Sequence, residues 1–569
     1  MPRAEAEQTR RERSGRRPAE SVERELKLRL APGTPLPPLD LPGIEVRRRG
    51  VVALHAIYHD TPDARLARWG ITLRRRTGGE DEGWHLKLGS RSARSGLDRR
   101  VELHVPLAAG EVGQPPAELL DVVAALTRGV PVVPLAGVQT RRRLWELVAP
   151  GRGAGDAAGD GAAEAVAVAL VSDDGVVTTR IGPDGELHQG EVFREIEVEL
   201  VLDADGRPHP RAKEVVRALR RLLWDVGATP SPRSKGAQAL GGLARGSADV
   251  TVPEVPRKPT VAELLRVVVA RQVTELLDAD VRVRRGEETG VHDLRVAART
   301  LRSVLRIFAP VLDEEWGRDL RRELAWIAGA FGEVRDTEVQ VELLHADAAR
   351  LADDPVTGAP GDAGAAEPDG EAGVESVSDT ELARAAVVAA LEPRFVAAHR
   401  RAVEDLRSER YLALVDALVA AAGEPGVRPD RSEERARRAL APLVASAARR
   451  ARRRVKLLRA GRDPHAWHRA RIGAKRARYA ADALALVGWR PAERAAARLK
   501  KATAVLGDVH DAHVARGMLR EIALSGDGLD RLTPYLLGRL DGVEAARELE
   551  LQEAFLDSRP RLRRVLEEL

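Results

Sequence analysis

The 569-residue chain contains no cysteine, two methionines and only 3% aromatic residues. Without cysteine it has no disulfide framework, no thiol nucleophile and no thiolate metal site. That agrees with a reducing, cytoplasmic setting. So few aromatics leave few rings on which nucleic-acid bases can stack. No run of about 18 apolar residues occurs, so no membrane span is expected. An apolar h-region is missing as well: residues 1–20 are rich in Arg and Glu and read as a disordered tail, not a signal peptide. Nor is there a large net charge. The formal balance is +5 although 31% of residues are charged, so charge is segregated along the chain. Residues 431–478 hold 17 Arg or Lys against three Asp or Glu, whereas 352–381 are acidic and rich in Gly, Ala and Pro.

The length predicts more than one domain. From residue 21 to about 202 the pattern mostly alternates with period two, which predicts strands. Helical patches interrupt or follow it near 63–69, 115–128 and 208–226, and 151–164 is a low-complexity loop. A β-rich domain is placed at 21–243, a Pro-containing linker at 244–259 and a helical domain at 260–565. There the apolar period becomes 3.6. The helical part divides into halves at 260–345 and 380–525 around a disordered insertion, 352–380, with a last helical pair at 528–569.

Two stretches of the helical part, 176 residues apart, repeat one pattern. The first is His292, Arg295, Arg299 and Arg302; the second is His468, Arg471, Lys475 and Arg478. On a helix each set occupies an arc of roughly 80° and a stripe about 15 Å long. Core-facing positions repeat on another face: Leu294, Ala298, Leu301, Leu305 and Phe308, then Ala470, Ala474, Ala477, Ala481 and Leu484. Each stripe is followed, 44 and 43 residues after its His, by Asp336 in Gly332-Glu333-Val334-Arg335-Asp336 and Asp511 in Gly507-Asp508-Val509-His510-Asp511. A single arginine stripe is commonly a solvated face. Duplication with the same His, cation and Asp positions points instead to a repeated unit that grips an extended anion.

The strands of the first domain carry charge too consistently for an ordinary sheet. Glu23, Glu25 and Lys27 share a face opposite Leu26 and Leu28; Arg74 and Arg76, His85 and Lys87, Arg100 and Glu102, and Glu195, Glu197 and Glu199 alternate likewise. If such strands close into a barrel, the charges line a lumen. Carboxylates at i and i+2 suit a hard divalent cation, and the Lys and Arg side chains suit polyphosphate oxygens.

Glu23-x-Glu25-x-Lys27 resembles the ExExK signature of CYTH domains, the triphosphate tunnel metalloenzymes. The likeness continues through Tyr58-His59-Asp60-Thr61-Pro62, Leu73-Arg74-Arg75-Arg76, Trp84-His85-Leu86-Lys87-Leu88, Arg100-x-Glu102, Thr140-Arg141-Arg142-Arg143, Phe193-Arg194-Glu195-Ile196-Glu197 and Ser234-Lys235. It implies an α+β domain: an eight-stranded antiparallel β-barrel tunnel with flanking helices, binding triphosphate with Mg²⁺ or Mn²⁺. By resemblance, Glu23, Glu25 and Lys27 are catalytic, and Glu23, Glu25, Asp174, Glu195 and Glu197 hold metal or position the attacking water. Lys27, Arg74, Arg76, Lys87, Arg100, Arg141, Arg143 and Lys235 clamp phosphates. The three consecutive arginines leave the register open at 141–143, although strand parity keeps Arg141 and Arg143 together. Asp174 over Asp173 is also a choice of register.

Val291-His292-Asp293-Leu294-Arg295 and Trp467-His468-Arg469-Ala470-Arg471, with their Gly-acid-Val-x-Asp segments, resemble the CHAD domain, the conserved-histidine α-helical domain. This resemblance implies an all-α domain of two pseudo-symmetric bundles that binds inorganic polyphosphate. His292, Arg295, Arg299, Arg302, His468, Arg471, Lys475 and Arg478 would contact phosphates, with Arg335, Asp336, Asp508 and Asp511 orienting them. The expected partners are therefore inorganic triphosphate and polyphosphate, with no membrane. Association with polyphosphate granules is a further expectation. The preferred function is hydrolysis of triphosphate or short polyphosphate in the tunnel, with polyphosphate held by the helices. The alternative is a non-enzymatic polyphosphate-binding or targeting protein. Nucleotide or thiamine triphosphatase, adenylate cyclase and nucleic-acid binding rank lower.

Overall fold

Strands predicted from the alternation form in the computed structural model, which describes residues 18–89, 98–150, 165–182, 184–231, 233–351, 379–525 and 532–569. The low-complexity loop 151–164 lies outside the described residues. So do most of the predicted tail and insertion, but Ala19 and Glu20 already belong to β1, and Asp379 and Thr380 begin a helix. The chain divides into two units, Met1–Asp249 and Val250–Leu569. Asp249, inside the predicted linker, is tied to the first unit by Trp69 Nε1 at 2.7 Å and by Arg128.

In the first unit, β1 (Ala19–Leu30), β2 (Glu45–Asp60), β3 (Thr72–Thr77), β4 (Gly83–Gly89), β5 (Asp98–Val105), β6 (Val133–Pro150), β7 (Ala165–Ile181) and β8 (Leu187–Leu200) pair in the order β5-β4-β3-β2-β6-β7-β8-β1. Antiparallel pairing of β1 with β5 closes this eight-stranded antiparallel barrel, with the two-residue β9 (Thr229–Pro230) alongside β1. Short helices α1 (Arg65–Arg68), α2 (Ala117–Val122) and α3 (Ala124–Thr127) connect strands. Asp60 accepts the backbone N–H groups of Thr61, Leu66 and Ala67, so this motif acid holds the β2–α1 corner.

One apolar layer lies outside the barrel. Leu26, Leu28 and Leu30 of β1, Val168 and Val171 of β7, and Ile196 and Val198 of β8 pack with Val215, Val216, Leu219 and Leu223 of α4 (Ala212–Asp225). At roughly 1.5–3 kcal/mol for each fully buried aliphatic side chain, this external core supplies the hydrophobic stabilisation that a charged interior does not. A second apolar cluster joins Tyr58, Val138 and Phe193 to Ala239 and Leu240 of α5 (Lys235–Leu240).

The second unit is helical throughout: α6 (Val261–Arg284), α7 (Glu288–Ile307), α8 (Glu314–Leu351), α9 (Asp379–Arg407), α10 (Glu409–Gly423), α11 (Pro429–Ser432), α12 (Ala436–Lys456), α13 (Pro464–Ala485), α14 (Arg490–Ser525) and α15 (Leu532–Glu567). Thr260 and Glu263 form a reciprocal capping box at the start of α6. Helices α6–α9 make one bundle and α12–α15 the other, with α7 and α13 in corresponding places and in contact. The expected core faces are buried, from Leu294 to Phe308 and from Ala470 to Leu484. Two boundaries differ from the sequence reading. Helices α9 and α10 pack on α8 and α6, so 379–423 belongs with the first half. The last pair of helices is instead the single α15, which runs through Pro560. That proline is exposed, so the carbonyl it leaves unpaired can turn to water. No helix of the described residues is long and apolar enough to cross a membrane.

Candidate functional site

The barrel encloses a cavity of about 360 Å³ rich in charge, with Val22, Leu54, Ala56, Val138 and Thr140 between the charged groups. Inward parity brings Glu23, Glu25 and Lys27 from β1, Arg74 and Arg76 from β3, His85 and Lys87 from β4, and Arg100 and Glu102 from β5. Arg142 from β6, Glu197 and Glu199 from β8, and Lys235 from the first turn of α5 face the same cavity. Lys87 Nζ lies 2.7 Å from both Glu23 oxygens. Lys27 bridges Glu25 at 3.1 Å and Glu197 at 3.0 Å. Lys235 reaches Glu197 at 2.7 Å, Asp174 at 2.9 Å and Glu195 at 3.1 Å. Arg100 Nε stands 3.5 Å from Glu25, and Arg74 Nη2 3.7 Å from Glu102.

Burial and neighbouring charge set the protonation states. Burial pushes the Glu23 carboxyl up to about 7 against the pull of Lys87, helped by its hydrogen bond with Glu102. For Glu102 burial is outweighed by His85, whose Nδ1 sits 2.7 Å away, and by Lys87, so that carboxylate stays ionised. Glu197 is held well below its ordinary value because Lys235, Lys27 and Arg142 overcome its burial. Glu199 is raised, chiefly by burial. Burial lowers Arg76 to about 9, with Arg74 adding like-charge repulsion.

Most predicted tunnel residues converge; one pair does not. Arg141 and Arg143 are on the outer face, both exposed, with Arg143 bound to Asp173 at 2.9 Å. Arg142 is the inward residue. It grips Asp174 through two bonds of 2.9 and 2.7 Å and Glu197 at 2.7 Å. The reason is register: Val138, Thr140 and Arg142 share the inward parity of β6, and Arg142 is the cross-strand partner of Asp174. Asp174 is inward as read, while Asp173 is held outside by Arg194 at 2.7 and 2.9 Å. The predicted metal ligands occupy two levels. Glu23, Glu25 and Glu197 line the cavity, whereas Asp174 and Glu195 are fully buried beneath Lys235, with Glu195 also bound to Ser231 Oγ at 2.6 Å. Arg142 escaped sequence reasoning; His85, Glu102 and Glu199 were read from their alternation as lumen-facing but were given no metal or phosphate role.

Among the described residues no three His, Cys, Asp or Glu side chains close on one metal position. The lumen donors nonetheless have the chemistry for a hard divalent cation, being carboxylate oxygens. Glu25 Oε1 is also buried without a hydrogen bond, with Arg100 Nε at 3.5 Å. Glu23, Glu25 and Glu199 are therefore the groups suited to hold such an ion.

Lys235 depends on a close approach. A Cβ at Gly236 would lie 2.4 Å from ring carbons of Tyr58, so only glycine lets α5 seat against β2. Gly236→Ala is expected to displace α5, weaken anion binding in the tunnel and cost about 1–3 kcal/mol. Calorimetric titration and thermal unfolding of the variant measure both effects.

In the second unit the two stripes come together where α7 meets α13. Arg299 has Arg295, Arg471 and Arg302 as like-charged neighbours, and Lys475 has Arg471, Arg299 and Arg478. Burial, then these cations, bring Lys475 down to about 7. His292 and His468 are likewise lowered, first by burial. Asp336 accepts from Arg295 at 2.9 Å and Asp511 approaches Arg471 at 4.0 Å. Arg335 instead pairs with Glu338 at 3.2 Å. Arg478 donates to Thr503 Oγ1 at 3.2 Å. Arg299, Arg302 and Lys475 have no ion-pair partner among the described residues.

A charged eight-stranded tunnel followed by paired helical bundles defines a CYTH domain joined to a CHAD domain. Residues 21–223 match the CYTH domain family and residues 267–520 the CHAD domain family. The chain is 32% identical over 562 residues to the uncharacterized protein Rv2226 of Mycobacterium tuberculosis, spanning 95% of this chain and 96% of that protein. It belongs to this CYTH–CHAD family. Among solved structures, PptA from Streptomyces chartreusis is similar at 23% identity and a TM-score of 0.42, over 53% of this chain and 99% of that one. HpAC1 from Hippeastrum, described as having a dominant triphosphatase activity, is 20% identical with a TM-score of 0.24, over 39% and 96%. CYTH domains include triphosphatases and cyclases and are typically metal-dependent.

Proposed function

We propose that the tunnel hydrolyses inorganic triphosphate or short polyphosphate with Mg²⁺ or Mn²⁺, and that the helical unit binds longer inorganic polyphosphate. The observation that carries this reading is the lumen itself, where Lys, Arg and carboxylate side chains from six strands and α5 face one cavity. Tyr58 lines the cavity, but its ring is packed against Gly236 and only 5% exposed, which favours an inorganic chain. Lys27, Arg74, Arg76, Lys87, Arg100, Arg142 and Lys235 exchange their carboxylate partners for phosphate oxygens. Buried charge-assisted hydrogen bonds then hold the chain in one orientation. Glu23, Glu25 and Glu199 would hold the divalent cation, which would supply charge neutralisation for the bound chain. A carboxylate of Glu23 or Glu25 orients a water and takes its proton as the water oxygen bonds to the terminal phosphorus. The bridging P–O bond breaks and pyrophosphate leaves, stabilised by the arginines.

The cations shared by α7 and α13 repel one another until an anion lies among them. An extended phosphate chain meets that need without base-specific contacts. Phosphate release from triphosphate, ATP, thiamine triphosphate and polyphosphate, with each metal, tests the catalytic half. No release from any of them by folded protein would leave a binding protein. Arg295→Glu with Arg471→Glu is expected to weaken long-chain polyphosphate binding by about tenfold or more and to leave triphosphate turnover intact. Parallel losses in the two assays would contradict the division of labour.

A further inference from the structure

The loop between β3 and β4 carries three consecutive acids, Glu80, Asp81 and Glu82, all exposed. Of the three, Asp81 lines the tunnel cavity. Lumen side chains fix its position. The Asp81 carbonyl accepts from Arg76 Nη2 and from His85 Nε2, each at 3.0 Å, and its carboxylate meets the same Arg76 Nη2. The next carbonyl, that of Glu82, accepts from His104 Nε2 at 3.1 Å. Two close approaches keep the loop against the barrel: a Cβ at Gly78 would overlap the Ala53 carbonyl oxygen, and one at Gly83 would overlap the His104 ring. Asp81 also differs from the carboxylates deeper in the lumen. The side chains of Glu23, Glu25, Glu102 and Glu197 are 11%, 6%, 11% and 12% exposed, whereas that of Asp81 is 67% exposed. Its partner Arg76, the last inward residue of β3, is 6% exposed. The Asp81–Arg76 pair therefore stands where the lumen meets solvent.

We infer that Asp81 selects chain length: the carboxylate it holds at the β3–β4 end of the tunnel admits triphosphate, which ends within the lumen, and turns away linear polyphosphate long enough to run out past Arg76. The inference rests on the reading of the tunnel as a triphosphate site. A chain that ends inside meets Arg74, Lys87 and the other lumen cations and leaves Asp81 on Arg76. A longer chain must carry further negative charge past Asp81, with Glu80 and Glu82 beside it. Like charges set against an unwanted ligand discriminate by repulsion, without adding any contact to the favoured one. Because Asp81 is exposed, salt screens this repulsion, while the buried ion pairs deeper in the lumen are screened much less.

The test compares phosphate release from triphosphate and from linear polyphosphates of increasing length. It uses the full chain carrying Arg295→Glu/Arg471→Glu, so that the helical unit does not take up the long chains. Asp81→Asn in that background keeps an oxygen for Arg76 and removes the charge. Its kcat/KM for the longer chains is expected to rise about tenfold, with that for triphosphate within about twofold of the unsubstituted residue. Added salt should narrow the gap between the two proteins. Asp81→Glu retains the charge and should retain the preference for triphosphate. An unchanged ratio of long to short in Asp81→Asn would overturn the inference. Equal gains for all lengths would overturn it too, leaving Asp81 as a mere competitor for Arg76. So would loss of the preference in Asp81→Glu, or a lower melting temperature of Asp81→Asn with loss of all turnover, which would make the residue structural. If the chain with Asp81 intact releases no phosphate from any of these substrates, the hydrolytic reading falls instead. The selector is then decided by calorimetric titration of the same proteins with triphosphate and the longer chains, where the same shift in ratio is expected and its absence overturns the inference.

Discussion

Glu23→Ala and Glu25→Ala are each expected to lower orthophosphate release from triphosphate by about a thousandfold or more, since each removes a carboxylate placed to hold a metal or orient the water. Both line the cavity, and Glu25 keeps a buried oxygen free of hydrogen bonds. Initial rates with saturating Mg²⁺ or Mn²⁺ measure the loss, and retention of near-wild-type rates in either variant would remove that residue from the mechanism. The pH profile gives a second readout. Burial, reinforced by Glu102, pushes Glu23 up to about 7, and a metal-binding carboxylate must be ionised. The affinity for Mg²⁺ should therefore rise as pH passes through about 7, read by metal titration of the protein.

The sign for stability is opposite. A raised carboxyl pKa means the native state keeps a proton that the unfolded chain has released, so the contribution of Glu23 declines as pH rises from the ordinary carboxylate range toward about 7. Glu23→Gln is expected to unfold at higher temperature than wild type at pH values above about 7, where the wild-type group is ionised, while being inactive. An unchanged melting temperature there would show that Lys87 and bound water fully compensate the buried charge.

Arg142→Ala is expected to destabilise the tunnel by about 3–5 kcal/mol, the usual effect of leaving a buried carboxylate without its partner. Asp174 is 0% exposed and takes two of the bonds from this one guanidinium. Lys235 remains as its other partner at 2.9 Å, which places the loss toward the lower end. Arg141→Ala and Arg143→Ala should stay within about 0.5 kcal/mol, as surface changes do. Asp173 keeps both bonds to Arg194 when Arg143 is removed. Urea unfolding of the three variants decides the register directly, because a slip of one residue would exchange the behaviour of Arg142 with that of its neighbours.

Several parts of this arrangement were legible along the chain. Glu23, Glu25 and Lys27 announce an inward face through period two, and the helical core from Leu294 to Phe308 follows from period 3.6. Arg142 was not legible, because three successive arginines give both faces of β6 the same character. Glu102 and His85 were visible only as alternating polar residues; their 2.7 Å contact requires the pairing of β4 with β5. The allegiance of α9 and α10 was hidden too, since the acidic insertion suggested a boundary at 352–380 while packing on α8 and α6 places them with the first bundle.

Taken alone, the amino-acid order determined the kinds of element, the two families, the charged strand faces and the duplicated stripes, because each is written in local periodicity or in short motifs. Only the tertiary structure decided which arginine of 141–143 enters the tunnel, which carboxylates share a cation, and that α7 and α13 gather cations from distant parts of the chain. Those outcomes depend on ladder register and on helix packing, where residues far apart in sequence meet, and no local period carries that information.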